Sequence, residues 1–202
     1  GFLQTENPVL DAFYALNRAE TLDKARAASS QIHAPGLNVV WANAAGDIAW
    51  WAAAKLPQRP DGVNPTFILD GGKPEADKAG FHPFTANPQE ENPARGYIVS
   101  ANHQPQSTSG VPVPGYYHLP DRAQRLVDRI GDNSRKADAA SSQALQLDVL
   151  TGYGQRVLKP LLPVLRQLVT DPNEVALLDQ LAAWDGSHAP ELVAPTVFNQ
   201  LL

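Results

Sequence analysis

Apolar side chains recur at helical spacing near the start of the chain. Asn7 followed by Pro8 is typical of a helix start, and the positions that then share one helical face are Leu10, Phe13, Tyr14 and Asn17. Thr21 can cap a second helix, which runs to about Ile32 before Pro35-Gly36 interrupts it. The pattern predicts two short helices.

Two β-rich runs follow, Leu37–Ala42 and Ile48–Ala53, and the residues between them, Asn43 to Asp47, favour a turn. The sequence therefore predicts an antiparallel hairpin. Because both runs are apolar at nearly every position, we expect both faces of the hairpin to be buried. We also expect three aromatic side chains to be core residues rather than a ligand platform: Trp41, Trp50 and Trp51.

Proline and glycine recur from Leu56 to Asn92, where only Thr66 to Leu69 has strand character. Apolar residues at the borders favour an ordered loop laid over a core, with a disordered linker as the alternative, and long ordered loops are often functional. Asn87-Pro88 is interpreted as an ordinary turn former. A short strand is predicted next, from Gly96 to Ala101, and it ends at Asn102.

The rest of the chain is predominantly helical in pattern. Pro120 and Asp121 begin a helix that Gly131 ends. Because proline lacks an N–H, we expect a break or kink between Gly152 and Pro160. Asp171 to Glu174 is a capping sequence, and an apolar stripe follows it on Leu177, Leu181 and Trp184.

The last helical signals are Asp185-Gly186, which ends the preceding helix, and Pro195, which begins another that runs to Leu202. Taken together, the patterns predict an α+β fold. We expect residues 1–202 to be a single fragment with two parts. The first, at about 1–118, contains helices, the hairpin, the Pro-rich loop and a strand, and the second, at about 119–202, is helical.

The composition excludes several classes of protein. The 202 residues are 43% hydrophobic and 18% charged, with a formal net charge of −5, so the apolar content suffices for a sizeable core. The charge is too low for a disordered polyelectrolyte, and the chain lacks the basic stripe of a nucleic-acid binder. No apolar run approaches the roughly 18 residues of a membrane span. We expect neither a nucleic-acid nor a membrane partner.

The chain contains no Cys, which excludes disulfides, thiolate metal sites and a cysteine nucleophile. It also contains no Met and begins at Gly1, which predicts that it is a piece of a longer protein. Its five His have no metal-ligand spacing, and no phosphate loop, dinucleotide fingerprint or nucleophile elbow is present. Composition and spacing alone therefore indicate no function, metal or cofactor.

Five segments, in order, resemble the interior of the β chain of the penicillin acylase family of N-terminal nucleophile hydrolases. The most specific is the block from Asn92 to Asn102, Asn-Pro-Ala-Arg-Gly-Tyr-Ile-Val-Ser-Ala-Asn. The other segments are His33 to Gly36, the hairpin from Asn38 to Trp50, the helix start from Asp121 to Leu126, and the helix end from Leu178 to Gly186. The resemblance implies that the strands belong to the family's central antiparallel sheet.

The resemblance also implies roles for two residues. In this family a Ser that begins the β chain attacks an amide carbonyl, with its own α-amine as the base, and donors meet the oxyanion that forms. Asn102 matches the family's catalytic Asn, whose side-chain amide is one such donor, and Arg122 matches an Arg that helps to orient the site. Read without the resemblance, Asn102 is a strand-end turn residue and Arg122 a solvated first-turn residue, with Arg125 a near neighbour.

The expected function is therefore that of an amide hydrolase that cleaves an N-acyl bond in a small molecule such as a β-lactam side chain or an acyl-homoserine lactone. The Ser nucleophile is expected upstream of this chain, because Gly1 has an amine but no hydroxyl. The partners would be the remaining segments of the parent α and β chains. The isolated fragment should be inactive and should self-associate through its uncovered strands.

Two further expectations come from the family alone. It is largely periplasmic or secreted. Some members also bind calcium through an acidic residue between the catalytic Asn and the Arg, whereas Gln104 to Pro120 contains no Asp or Glu, so no metal is expected in this fragment. Two other possibilities stay open, a non-catalytic binding or assembly module on the same scaffold, and a structural domain that shares only the fold.

Overall fold

The computed structural model describes residues 6–74, 77–132 and 136–201. The chain divides into two compact units, Gly1–His118 and Leu119–Leu202. In its described residues the first unit carries two α-helices, α1 Val9–Leu16 and α2 Leu22–Ser29, and a short 3-10 helix, Phe84–Ala86. Its strands in that part of the chain are β1 Leu37–Ala42, β2 Ile48–Ala53, β3 Pro57–Gln58, β4 Gly80–Phe81 and β5 Gln89–Glu91. The described part of the second unit carries α3 Asp121–Ile130, α4 Ala139–Gln146, α5 Gly152–Leu168, α6 Pro172–Ala183 and α7 Ala194–Leu201. The predicted α+β fold is confirmed.

The hairpin of β1 and β2 is confirmed at the predicted residues, with Val40 opposite Trp50 in an antiparallel register. At its turn the side chain of Asn43 accepts the Asp47 backbone N–H at 2.8 Å and donates to the Asp47 carboxylate at 2.8 Å. Strand β5 pairs antiparallel with the other side of β2, so the sheet order is β1-β2-β5. Strands β3 and β4 form a separate antiparallel pair.

The carboxylate of Glu91, at the end of β5, joins α2 to the sheet. Nε and Nη2 of Arg26 each donate to a different Glu91 oxygen at 2.6 Å, and the indole N–H of Trp51 donates to the same carboxylate at 2.9 Å. The Arg26 guanidinium lowers the pKa of Glu91 below its ordinary value. Trp51 is fully buried and Trp50 nearly so, as predicted, whereas Trp41 is half-buried.

One face of β1 is not buried, contrary to the prediction. Asn38, Val40 and Ala42 are exposed and alternate with half-buried residues, because successive side chains of a strand point to opposite faces and only one face of β1 is covered by described residues. The prediction of which face of α1 is apolar and packed is also wrong. Leu10 is 77% exposed, and the helix instead buries Ala12 together with Val9 and Leu16.

Asn7 does not cap α1, contrary to the prediction. Its side-chain oxygen accepts hydrogen bonds from the backbone N–H groups of His33 and Ala34, and its amide donates to the Ala34 carbonyl. These bonds join the start of α1 to the chain that follows α2. The predicted cap at Thr21 is confirmed, since its hydroxyl accepts the Lys24 N–H.

Two predicted strands are wrong. Thr66–Leu69 is a turn with Phe67 and Ile68 exposed, and Gly96–Ala101 forms no ladder with any described residue. A strand needs a hydrogen-bonded neighbour, which neither segment finds in the described chain. The short strands that do form, β3, β4 and β5, lie within the stretch that was predicted as loop.

Helices α5, α6 and α7 enclose the core of the second unit. Its buried side chains are Leu158, Leu178, Leu181, Trp184, Ala194 and Phe198. The capping role of Asp171 is confirmed, because its carboxylate accepts the N–H groups of Asn173 and Glu174. The apolar stripe predicted on α6 is wrong at one position. Leu178 lies in the core, whereas the predicted Leu177 is partly exposed.

Of the predicted break or kink between Gly152 and Pro160, the break is wrong, since α5 runs from Gly152 to Leu168 through both Pro160 and Pro163, and the kink stays a prediction. Each proline removes the N–H that would bond to the carbonyl four residues earlier, on Arg156 or Lys159. All four of these residues are exposed, so water can bind the two released carbonyls. The helix α4, capped by Asp138 with a reciprocal Ser141 bond, was not predicted.

Among the described residues, no helix combines the length and apolar character needed to cross a membrane. The predicted features at Gly1 and Leu202 lie outside the described residues.

Candidate active site

Asn102 stands at the point where the chain leaves the core of the first unit. Ala101 before it is buried, whereas Asn102 itself is exposed. Its backbone is left-handed, with φ of 59°, a conformation that Asn adopts more readily than most residues. Its carbonyl accepts the His118 N–H at 3.0 Å, which joins the two ends of the intervening segment.

A cavity of about 360 Å³ adjoins Asn102. Its wall includes the end of β2 and the start of β1, together with the side of the chain that runs from Asn102 to His118. The polar members of the lining are Asn38, Asn87, Asn102, His103, Tyr116, Tyr117 and His118, and no Lys, Arg, Asp or Glu is among the lining residues that the structure describes. Burial raises the pKa of the Tyr117 phenol, whose hydroxyl donates to the Val113 carbonyl at 3.1 Å.

This arrangement can supply uncharged hydrogen-bond donors to a ligand. A carboxamide such as that of Asn102 donates N–H bonds at any pH and has no proton to lose when a negative charge develops nearby. No carboxylate is among the described lining residues, so none of them competes for this donor. A carboxamide of this kind has the chemistry of an oxyanion donor, and that role stays a prediction for Asn102.

Asn87 is a member of this lining that sequence reasoning missed, because Asn87-Pro88 was interpreted as an ordinary turn. The side chain is 2% exposed, and its amide nitrogen donates to the Ala52 carbonyl at 2.8 Å and to the Ala54 carbonyl at 2.7 Å. Both partners lie more than thirty residues away in sequence. No local signal could have found these contacts.

Arg122 lies in the second unit, exposed in the first turn of α3. Its neighbour Arg125 is held by a bidentate contact to Asp148 at 3.2 and 2.6 Å, and Arg129 reaches the same carboxylate at 3.3 Å. The Arg125 guanidinium lowers the pKa of Asp148. Arg125 thus attaches α3 to the segment before α5. Asn102 and Arg122 belong to different units, so no single unit brings them together.

Within residues 6–74, 77–132 and 136–201, no group of three or more His, Cys, Asp or Glu side chains could hold a metal ion.

Comparison with known proteins gives consistent matches over nearly the whole chain. The acyl-homoserine lactone acylase QuiP of Pseudomonas fluorescens is 32% identical over 157 residues, which cover 76% of this chain and 19% of that protein. The enzyme of the same name from Pseudomonas putida is 26% identical over 195 residues, covering 90% of this chain and 23% of that protein. The chain thus spans about a fifth of the length of these relatives.

A solved structure, thermostable penicillin G acylase from Alcaligenes faecalis, matches with a TM-score of 0.68 and 24% identity, over 91% of this chain and 33% of that one. The two therefore share a fold. The family model described as penicillin amidase matches residues 2–202. With a family match that begins at the second residue and ends at the last, the chain belongs to the penicillin amidase family.

Proposed function

We propose that this chain is a segment of an amide hydrolase that cleaves the N-acyl bond of a small molecule, and that Asn102 donates a hydrogen bond to the oxyanion of the reaction. The observation that carries the proposal is the exposed, left-handed Asn102 beside a cavity whose described lining contains no Lys, Arg, Asp or Glu. Membership of the penicillin amidase family supports it, as do relatives named for acylase activity on acyl-homoserine lactones and on penicillin G.

The proposed chemistry follows from where charge develops. When a nucleophile attacks an amide carbonyl, the carbonyl oxygen becomes an anion, and a preorganised N–H donor stabilises that anion more than it stabilises the substrate. In this proposal the nucleophile is an N-terminal Ser outside this chain, whose α-amine, with an ordinary pKa near 8, acts as the base. The role of Arg122, to help orient the catalytic site, is proposed from the family resemblance alone.

The partners in this proposal are the remaining segments of the parent α and β chains, and the isolated chain has no hydrolytic activity of its own. Exposed apolar side chains such as Leu10 and Tyr14 on α1 favour association with another surface. The substrate is a small N-acyl molecule of the kind that the relatives' names indicate. We also propose, from family membership alone, that the parent acts in the periplasm or outside the cell.

The same exposed face of α1 favours a second candidate, a non-catalytic binding or assembly module on this scaffold. The two candidates differ in whether the mature parent protein hydrolyses an N-acyl substrate at all. A processed parent with no detectable release of acid from an N-acyl homoserine lactone or from penicillin G would favour the module.

The sharpest test of the catalytic role replaces Asn102 by Gly in the mature parent. Gly adopts the left-handed backbone freely, whereas Ala there would add strain of about 1–2 kcal/mol, so Asn102→Gly removes the amide with little backbone change. We expect kcat to fall by roughly 10²–10³-fold, as for the loss of one oxyanion donor, with KM nearly unchanged.

Gln106→Gly is the matched control, because Gln106 is an exposed amide four residues along that is not among the cavity-lining residues. It should leave both kcat and KM close to those of the unmodified enzyme. A near-normal kcat for Asn102→Gly would refute the role proposed for Asn102.

A further inference from the structure

The backbone of Asn102 is restrained by the segment that follows it, residues 102–118. A left-handed conformation, here with φ of 59°, is sparsely populated outside Gly and persists where the surrounding contacts fix it. Asn102 is exposed, so packing around its side chain supplies little of that restraint. Its carbonyl accepts the His118 N–H at 3.0 Å, and this bond restrains the backbone from which the side-chain amide projects.

One backbone carbonyl joins the outgoing and the returning parts of this segment. Tyr117, the neighbour of His118 on the returning part, donates its hydroxyl to the Val113 carbonyl at 3.1 Å. Gln104, two residues after Asn102 on the outgoing part, donates its side-chain amide to the same carbonyl at 3.3 Å. The Val113 carbonyl therefore links the residues next to both partners of the Asn102–His118 bond.

The Tyr117 ring is packed as well as hydrogen-bonded. A Cβ built at Gly115 would lie 3.2 Å from Cε2 and 3.4 Å from Cζ of this ring, so the ring lies close against the Gly115 backbone. The side chain thus folds back over the residues between Val113 and Tyr117 itself. Burial raises the pKa of the phenol, which keeps its hydroxyl protonated and able to donate at neutral pH.

We propose that Tyr117 is a positioning residue for Asn102, because its bond to the Val113 carbonyl keeps the returning part of the segment where the His118 N–H reaches the Asn102 carbonyl. In this proposal Tyr117 acts through His118 and not on the substrate. The consequence for catalysis rests on the function proposed above, in which the Asn102 amide meets the oxyanion. The consequence for the Asn102–His118 bond does not, because that bond lies within the first unit.

The first test measures the Asn102–His118 bond in the ¹⁵N-labelled 202-residue chain. Tyr117→Phe keeps the ring and removes only the hydroxyl. We expect the His118 N–H of this variant to exchange with water about fivefold faster in NMR measurements, the usual effect of losing one neutral hydrogen bond. Ser109→Ala is the matched control. It removes from the same segment another hydroxyl that donates to a carbonyl, that of Ala86, and it should leave the exchange rate unchanged.

The second test measures kcat and KM of the mature parent with an N-acyl homoserine lactone and with penicillin G. Tyr117→Phe should lower kcat about three- to tenfold with KM nearly unchanged, because a less well-placed amide loses contact chiefly with the transition state. Its loss should stay below the roughly 10²–10³-fold expected for Asn102→Gly. In the Asn102→Gly background the effect of Tyr117→Phe should disappear, since no amide remains to be positioned.

An unchanged exchange rate of the His118 N–H in Tyr117→Phe would overturn the proposal. So would an equal loss of kcat with and without the Asn102 amide, which would show that the Tyr117 hydroxyl only stabilises the fold. Failure of the proposed function has a different signature, either a near-normal kcat for Asn102→Gly or a mature parent that hydrolyses neither substrate. In that case the exchange rate still decides whether Tyr117 holds the backbone of Asn102.

Discussion

Gly154, in the first turn of α5, is a position where one added methyl group should destabilise the second unit. A Cβ built there would lie 2.5 Å from Cζ3 and 2.7 Å from Cη2 of Trp184. The ring cannot easily move away, because Trp184 is 5% exposed and its indole N–H donates to the Ser187 carbonyl at 2.6 Å. Phe198 and His188 pack against it with ring centroids 5.2 and 5.3 Å away.

The magnitude follows from two opposing effects. Overpacking a core in this way costs about 1–3 kcal/mol, whereas replacing a helical Gly by Ala gains about 1 kcal/mol. Because Trp184 is held by its hydrogen bond and by two rings, the cost should fall in the upper part of its range. We expect Gly154→Ala to lower the free energy of unfolding by about 1–2 kcal/mol.

The assay is urea denaturation of the 202-residue chain, followed by far-ultraviolet circular dichroism. Gly152→Ala is the matched control, because Gly152 is in the same helix and a Cβ there would meet nothing within 4 Å. That variant should be as stable as the unmodified chain or slightly more so. If Gly154→Ala unfolds at the same urea concentration as Gly152→Ala, the close packing of α5 on Trp184 is refuted.

Two other predictions concern stability. Glu91→Gln should lower the free energy of unfolding by about 1–3 kcal/mol at pH 7, because it removes a charged, bidentate partner of Arg26. Since folding lowers the Glu91 pKa, this contribution is present above the ordinary glutamate pKa of 4.5 and is lost as the pH falls below it. Denaturation at several pH values should therefore show the stabilities of the two proteins converging in acid. A difference that stays constant with pH would contradict the role given to the Glu91 carboxylate. Gly186→Ala should lower Tm more than Gly46→Ala. Both glycines have positive φ, but only at Gly186 would a Cβ lie 2.4 Å from a backbone oxygen, that of Thr151. Equal shifts in differential scanning fluorimetry would show that backbone strain alone determines the loss of stability.

The elements that could be predicted from the sequence are those whose signals are local. The hairpin turn rests on Asn43 and its bonds to Asp47, and the starts of α2 and α6 rest on the capping side chains of Thr21 and Asp171. Each of these interactions spans a few residues, so residue type and spacing suffice to indicate it.

The predictions were wrong where contacts with residues distant in sequence determine the local structure. The large side chains of α1 suggested that its face with Leu10 is buried, but the neighbouring segments accept the small Ala12 instead. The β-rich residues before Asn102 suggested a strand, yet strand formation depends on a pairing partner. Pro160 suggested a break, but the packing of Leu158 in the core and the exposure of the proline side allow the helix to continue.

The residues of the candidate site also differ in whether the sequence could indicate them. Asn102 could be found because it closes a sequence block with a family resemblance. Asn87 could not, because its partners Ala52 and Ala54, at the end of β2 and just after it, lie more than thirty residues away in sequence. Asp148 gives Arg125 a structural contact that spans 23 residues, and the site role of Arg122 stays a prediction.

The pairing of β3 with β4 has a consequence for how this scaffold can diversify. These strands hold the ends of the chain between Gln58 and Gly80 together, so that segment is a closed loop, with Phe67 and Ile68 exposed on it. For such a loop the entropy of closure grows only with the logarithm of its length, and doubling the length costs about 0.6 kcal/mol. Its bond from the Tyr116 hydroxyl to the Thr66 carbonyl is exposed and can be exchanged for water. Insertions, deletions and replacements at its tip can therefore accumulate in evolution while the hairpin and the Glu91 contacts stay as they are.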